Sequence, residues 1–411
     1  MRKRTLRWSV FYRPSLLLVL AVFLADHAYG ADGNQLYAFG AIQKGMGGGG
    51  AASPQDATWT LMNPASIVDL GKRLDFSIEY LYAHVTADPG GLFLVSNPGT
   101  GTMRFDANNI FIPSLGVIWP LDKGDHGTLG MGMIGEAGNR TDYHHARSTL
   151  AIFNNGDRRA AEETAKMPLA YAYKFSNGVA IGAAVIPAFN MFRTDSLTLK
   201  LRTTKGNNRN DMAVGAGAAL GIYKHWEKFG IGASYTSRTW MTNFHKYEHD
   251  LTTTPIDLPQ QIQAGVSYRP WRPLEFVLDY KWIDWDAINL FGHETIRGGL
   301  GWKDQHLVKG GVLWDITGTW TARAGFSYGN TAVTARHAFA NIMTPALAST
   351  HLGLGVSHKL SKHSVVHLSY SQCLPERRIE NGRGDIFSHL GKGSMVSFQE
   401  HSLTAQYTYQ F

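Results

Sequence analysis

Short segments in which apolar and polar side chains alternate recur along most of the chain, each about ten residues long. In the last of them Leu403, Tyr407 and Phe411 share one face, and Ser402 and Gln406 share the other. Successive side chains of a β-strand point to opposite faces of the sheet. Each segment is therefore predicted to be a strand with one apolar and one polar surface, as in a membrane barrel.

The spacing of these segments predicts about 14 strands. Their cores begin near residues 74, 110, 128, 166, 179, 211, 229, 260, 274, 305, 320, 350, 364 and 398. Short connections at 122–127, 177–178, 223–228, 270–273, 316–319 and 360–363 alternate with longer segments. Short periplasmic turns that alternate with long external loops are typical of outer-membrane barrels. The predicted fold class is all-β, a transmembrane antiparallel β-barrel.

A soluble β-sandwich or solenoid is the alternative fold, and composition argues against it. Charged residues make up only 17% of the chain, and 45 glycines and 12% aromatic residues accompany them. A sandwich would have to fill its core with the small and polar faces, which pack poorly there. Aromatic residues near segment ends instead predict two girdles at the membrane interfaces, namely Trp119, Tyr223, Trp226, Trp271, Trp282, Trp285, Trp314, Trp320, Tyr409 and Phe411.

The N-terminal thirty residues predict a secretory signal peptide, followed by export to the outer membrane of a Gram-negative cell. A basic stretch from Arg2 to Arg13 precedes the apolar run 16–25, and Ala28 and Gly30 mark a cleavage site after Gly30. The apolar run is too short for a membrane anchor, which needs roughly twenty residues. The single cysteine, Cys373, excludes an intrachain disulfide, and the net charge of +7 is scattered, so no nucleic-acid partner is predicted.

Residues 31–72 do not have the pattern of a strand and are predicted to form a plug, or hatch, ahead of a barrel at 73–411. Glycines at 47–50 give this segment a compact backbone, and Pro64 moves Asn63 out of the helical region. The segment is too small to form its own core. The lumen of a barrel this wide must be filled or it leaks.

At these residues the chain resembles the outer-membrane long-chain fatty-acid transporter family (FadL-like), which includes aromatic-hydrocarbon uptake proteins. The match runs from Gly40 through Gly45, Ala51, Asp56 and Ala57 to Asn63-Pro64-Ala65. It continues at 258–259, 265–270, 278–282 and 323–328. The terminal Phe411 also fits, because such barrels end in an aromatic residue that the barrel-assembly machinery recognises.

The resemblance implies passive uptake of small hydrophobic compounds through a plugged barrel, without enzyme activity, cofactor or metal. It also implies an apolar pocket beside the hatch and a kinked strand that opens a lateral path. Glycines of the third strand are candidates for the kink, although glycine is frequent throughout the chain. The candidates are Gly130, Gly132 and Gly135 for the kink, and Asn63, Pro64, Ala65, Gly45 and Asp56 for plug gating.

Alternation places several candidate ligand contacts on the lumen face. Arg323 and Lys281 could bind a carboxylate, and the alternative is a salt network with Asp279 and Glu275. Apolar candidates are Leu81, Val277 and Ile283. One departure from the family is that the loops at 191–210 and 241–258 are short. The long-chain transporters form a capture groove there, and the short loops argue against that groove and against a long-chain fatty acid as the natural ligand.

Two other functions stay open at this point, a porin for polar solutes and a surface adhesin or structural barrel. A porin needs an open lumen with charged rings, and an adhesin needs longer or more repetitive loops. No phosphate-binding loop and no compact catalytic motif is recognised in the sequence. The expected partners are a hydrophobic ligand, outer-membrane lipid and lipopolysaccharide, with the protein a monomer.

Overall fold

The chain forms a closed antiparallel sheet. The computed structural model describes residues 32–88, 103–121, 126–143, 158–194, 210–247 and 255–411, so the predicted signal peptide lies outside it. Within these ranges one sheet contains sixteen strand segments, and β1 pairs with both β2 and β16, which closes the sheet. The segments are β1 Arg73–Asp88, β2 Met103–Pro120, β3 Gly127–Tyr143, β4 Arg158–Lys166, β5 Leu169–Lys174, β6 Val179–Thr194, β7 Asp211–His225, β8 Phe229–Thr236, β9 Trp240–Met241, β10 Gln261–Trp271, β11 Leu274–Ile283, β12 Gln305–Asp315, β13 Trp320–Gly329, β14 Thr350–Lys359, β15 Ser364–Ile379 and β16 Met395–Gln410.

Two pairs of segments each make one strand of the barrel. β4 and β5 both pair with β3 and β6, and the register is the same on the two sides of the break between them, which falls at Met167 and Pro168. Proline has no N–H for the sheet ladder, which explains the break. β9 likewise continues β8 along β7. The described segments therefore form a barrel of 14 strands, and the predicted fold class is confirmed.

The outer face is apolar and the inner face is polar, as predicted. On β16 the side chain of Leu403 is 57% exposed, whereas that of its neighbour Ser402 is 2% exposed. Five of the predicted girdle tryptophans are exposed near the short connections: Trp119, Trp226, Trp271, Trp314 and Trp320. Two predicted girdle residues are buried instead. Tyr223 points inward, and its hydroxyl donates to Asp69 Oδ2 at 3.0 Å, while Trp285 is buried above the lumen.

The two ends of the barrel differ. The short connections lie at the same end of the barrel as Arg73 and Phe411. Outer-membrane barrels have their short turns on the periplasmic side, so this is the periplasmic end. Five of the six predicted short connections are confirmed, and the sixth, at 122–127, lies largely outside the described residues. Helices are short and lie in the plug (α1 Gly40–Gly45, α2 Trp59–Met62 and the 3-10 helix Pro64–Asp69) or in external loops (the 3-10 turns His245–Tyr247 and Thr295–Arg297, α3 Asn289–Gly292 and α4 Ile386–Leu390). None of the helices in the described ranges is long and apolar enough to cross a bilayer.

Aromatic residues of the external loops pack over the plug. Trp285 meets Trp302 edge-on at 4.9 Å between ring centroids, and Phe291 stacks on Trp302 at 4.5 Å. A Cβ at Gly33, near the start of the plug, would lie 2.4 Å from the Trp285 ring. This aromatic cluster therefore covers part of the external end of the lumen.

Candidate functional site

The plug, residues 32–72, lies inside the barrel and is bound through its backbone. Asp279 Oδ2 on β11 accepts hydrogen bonds from the backbone N–H of Gly50 at 3.1 Å and of Ala51 at 2.8 Å. The side chain of Gln263 donates to the same oxygen at 2.7 Å. Serine hydroxyls of the wall donate to plug carbonyls as well, Ser267 to Ala52 at 3.1 Å and Ser234 to Met62 at 2.6 Å. Polar side chains of the lumen thus satisfy plug backbone that water cannot reach.

The first residue of the described plug is held by two lysines. Asp32 is fully buried, and its carboxylate lies 2.5 Å from Lys281 Nζ and 3.0 Å from Lys309 Nζ. Burial acts to raise the pKa of Asp32, but the two lysines lower it below its usual value. Lys309 also donates to the carbonyl of Tyr37 at 2.7 Å. Lys281 therefore contacts the plug, and Glu275 pairs with Arg269 instead.

Asp56 connects the middle of the plug to the last strand. Gln406 on β16 donates to Asp56 Oδ2 at 2.8 Å and accepts from the backbone N–H of Ala41 at 2.9 Å. Next to it, Asp75 on β1 accepts from the N–H of Ala57 at 2.9 Å. Burial and the neighbouring charge of Asp75 raise the pKa of Asp56 to about 6.

The Asn63-Pro64-Ala65 triplet forms a turn that rests on the barrel wall. Asn63 Nδ2 donates to the carbonyls of Ala51 at 3.0 Å and Ile222 at 3.3 Å, and Asn63 Oδ1 accepts from the N–H of Ala65 at 3.2 Å. A Cβ at Gly182 on β6 would lie 2.5 Å from the backbone of Pro64. The wall is therefore shaped to receive this turn.

β2 and β3 separate over the outer half of the barrel. Their pairing extends only from Ser114–Ile134 to Pro120–Thr128. β3 carries a register shift between Gly135 and Ala137 against β4, and the intervening Glu136 turns inward to Lys166 Nζ at 2.7 Å. Bulges of this kind bend a strand and can end its pairing.

The start of the plug forms hydrogen bonds with backbone groups of β3 that do not pair with β2. The N–H of Leu36 donates to the carbonyl of Glu136 at 2.7 Å, and the N–H of Gly138 donates to the carbonyl of Asn34 at 3.0 Å. Asn34 Nδ2 also donates to Glu162 on β4 at 3.1 Å. The plug therefore forms part of the wall at the gap between β2 and β3.

A cavity of about 560 Å³ lies at this gap. It reaches the outer face of the barrel, because it is lined by Phe111 and Met133, which are 58% and 40% exposed. Most of the wall is apolar, and a few polar groups lie among it. The apolar lining includes Leu36, Leu81, Val85, Ile112, Phe189 and Phe398, and the polar lining includes Asn34, Gln35, Glu163, His351 and Glu400.

The predicted ligand residues are scattered by the structure. Leu81 lines the cavity at the β2–β3 gap. Val277 belongs to the plug–wall core, and Ile283 to the external aromatic cluster. Lys281 binds Asp32, and Arg323 lines a different cavity at the periplasmic end.

The glycines singled out in the sequence have separate structural roles. Gly135 directly precedes the bulge in β3, whereas a Cβ at Gly130 would lie 2.6 Å from Thr60 of the plug. Gly132 also lies beside the plug, because a Cβ there would be 3.5 Å from Thr60 Oγ1. Gly45 packs tightly against Gly355 of β14, because a Cβ at Gly45 would lie 3.0 Å from the Cα of Gly355.

Several cavity residues were missed in the sequence, above all Asn34–Tyr37 of the plug and Phe398 of β16. Nothing in their local pattern marks them, since the cavity forms only when the plug docks. One available signal was Pro113, which sits beside the last β2–β3 pair at Ser114. Proline within a strand pattern indicates an edge.

The chain matches known proteins in sequence and in structure. The sequence profile of the family described as "Outer membrane protein transport protein (OMPP1/FadL/TodX)" matches residues 22–411. No curated protein sequence matches the chain.

Solved structures that resemble the chain share its fold at low sequence identity. The toluene transporter TodX of P. putida is 16% identical with a TM-score of 0.69, over 92% of this chain and 99% of that one. A Pseudomonas aeruginosa FadL homologue is 15% identical with a TM-score of 0.67, over 92% and 100%. The Ralstonia pickettii toluene transporter TbuX is 17% identical with a TM-score of 0.62, over 92% and 99%. With its profile match across nearly the whole length and its plugged 14-stranded barrel, the chain belongs to this family of outer-membrane transport proteins.

Proposed function

We propose that this outer-membrane protein takes up small hydrophobic compounds passively, through the cavity at the gap between β2 and β3. The observation that carries the proposal is that one cavity joins lipid-facing side chains such as Phe111 to the buried start of the plug. A hydrophobic compound dissolved in the membrane would enter there without crossing an aqueous lumen. Proteins of this family are transport proteins rather than enzymes, and uptake down a gradient requires no nucleotide.

The cavity suits a molecule of modest size. Its volume of about 560 Å³ falls within the usual range for small-molecule sites, and a cavity of about 150 Å³ already holds benzene. Two of the structurally similar proteins are named as toluene transporters. We therefore propose monoaromatic hydrocarbons and apolar molecules of similar size as substrates, and long-chain fatty acids as the alternative.

Replacing Leu81 with tryptophan is expected to abolish most uptake, because the larger side chain fills the cavity that Leu81 lines. The measurement is accumulation of radiolabelled toluene by cells that express equal amounts of each barrel. Leu403→Trp is the matched control, because Leu403 lies on the neighbouring strand β16 and faces lipid. Uptake by the Leu81 variant equal to that of the Leu403 variant would disprove the lateral route.

The plug is proposed to act as a gate, since it fills the lumen between the cavity and the periplasm. Ligand binding at residues 34–37 would favour a conformation in which the plug lets the ligand pass. A porin for polar solutes is disfavoured because the plug fills the lumen. A steady, large ion current through the purified wild-type barrel in planar bilayers would favour the porin.

Asn63→Ala is expected to reduce uptake while the barrel still assembles. The substitution removes the donors to Ala51 and Ile222 and the acceptor of the Ala65 N–H, and an unmet buried hydrogen bond costs about 1–3 kcal/mol. Assembly of the barrel is checked by the shift in its gel mobility on heating. Uptake is measured with radiolabelled toluene. Unchanged uptake would reject the gating role of this triplet.

A further inference from the structure

A second cavity, of about 310 Å³, lies at the periplasmic end beneath the plug. Its roof comes from the plug residues Ile42, Pro54 and Leu70, and its walls come from side chains of β1 and β10–β16. Arg272 and Lys359 stand exposed at its rim. Unlike the cavity at the β2–β3 gap, this one is lined largely by charged and hydroxyl-bearing side chains.

Arg323 is the unusual residue of this cavity. Its side chain is only 8% exposed, and among the described residues it forms no ion pair with a carboxylate. Its Nη1 donates to Ser357 Oγ, and its Nε has no hydrogen-bond partner in the part of the chain that the structure describes. A buried charge without a counter-charge is costly, and buried guanidinium groups are normally paired.

Among the described residues, the groups in direct contact with Arg323 carry no negative charge. Ser357 Oγ bonds to His367 Nδ1 at 2.6 Å, and His367 Nε2 bonds to Thr408 Oγ1 at 3.1 Å, so these three groups bring no negative charge to Arg323. Two buried acids nearby have cationic partners, because Asp75 pairs with Arg73 at 2.8 Å and Glu275 pairs with Arg269. Asp315 and Asp56 act on Arg323 through their charge, but neither forms an ion pair with it among the described contacts. Arg323 therefore lines the cavity without a carboxylate of the described residues in contact with it.

We propose that this cavity, here called the vestibule, binds a small monocarboxylate through Arg323. A guanidinium presents donors in a planar fork that matches a carboxylate. Asp69, Glu275 and Asp315 line the same space together with Arg73, Arg269, Arg272 and Lys359, so the proposed anion carries one negative charge to match that of Arg323. The vestibule is distinct from the uptake cavity, since the plug lies between them.

The test is direct binding of benzoate to the purified barrel in neutral detergent, measured by calorimetry at constant ionic strength. Wild-type protein is expected to bind one benzoate and not to bind benzyl alcohol, which lacks the charge. Arg323→Met should weaken benzoate binding about tenfold or more, the usual effect of losing a charge-assisted hydrogen bond. Arg323→Met should still fold, because it removes a buried charge that has no partner.

Two control variants locate the benzoate. Arg272→Met removes an exposed rim charge and should leave affinity nearly unchanged. Leu81→Trp fills the uptake cavity and should leave benzoate binding intact, so failure of the uptake proposal and failure of the vestibule proposal are distinguishable. Loss of binding in Leu81→Trp, equal affinity in Arg323→Met and wild type, or binding of inorganic phosphate but not benzoate would each overturn the proposal.

Discussion

Gly47→Ala is expected to detach the plug from the barrel wall, whereas Gly49→Ala is expected to leave it docked. Gly47 has a φ of +69°, in the left-handed region, and a Cβ there would lie 2.3 Å from the backbone nitrogen of Phe326 on β13. Gly49 lies in the same loop, and its Cβ would meet the nearest atom, Lys309 O, at an ordinary 3.4 Å. The two positions thus form a matched pair.

The free energy by which alanine at position 47 weakens plug docking has two parts. A residue with a Cβ in the left-handed region costs about 1–2 kcal/mol. Overlap with a wall that cannot move costs about 1–3 kcal/mol more, because the atoms in the way are backbone atoms of a paired strand. Together they are expected to weaken plug docking by about 2–5 kcal/mol.

Docking can be measured by thiol labelling and by conductance. Ser53→Cys places a thiol on the buried surface of the plug, and the single native cysteine, Cys373, is itself buried. In the Gly47→Ala background we expect fast labelling of this thiol and a higher ion conductance through the barrel. Labelling as slow as in the Gly49→Ala background would show that Gly47 does not control docking.

The barrel could be predicted from the sequence because its determinants are local. Alternation along β16 and the short connections depend only on residues close in the chain. The sequence predicts strand cores that begin near 110 and 166, whereas β2 begins at Met103 and β4 at Arg158. The segment 158–166 is mostly charged residues and alanine, so it lacks the apolar alternation that marks the other strands.

The candidate site was less predictable because its contacts join distant segments. Gln35 of the plug bridges to Ala137 of β3, and the cavity exists only because β2 has left that edge. The polar lumen face was correctly identified, but the sequence does not tell which lumen group meets which plug group. Lys281 illustrates this, since its partner is Asp32 of the plug rather than the nearby acids of its own strand.

The second large effect concerns Asp279, and Asp279→Ala is expected to destabilise the plug by about 2–6 kcal/mol. The substitution leaves two buried N–H groups, of Gly50 and Ala51, without an acceptor, and each such loss costs about 1–3 kcal/mol. It also removes the acceptor of the Gln263 side chain.

Asp279→Asn separates hydrogen bonding from charge. Asp279 Oδ2 accepts all three hydrogen bonds and Oδ1 accepts none, so an amide with its oxygen at the Oδ2 position keeps the whole set. We therefore expect slow labelling of Ser53→Cys and low conductance in Asp279→Asn, with fast labelling and raised conductance in Asp279→Ala. If both variants release the plug equally, the negative charge of Asp279 must be what holds it, and the hydrogen-bond explanation of plug docking would have to be abandoned.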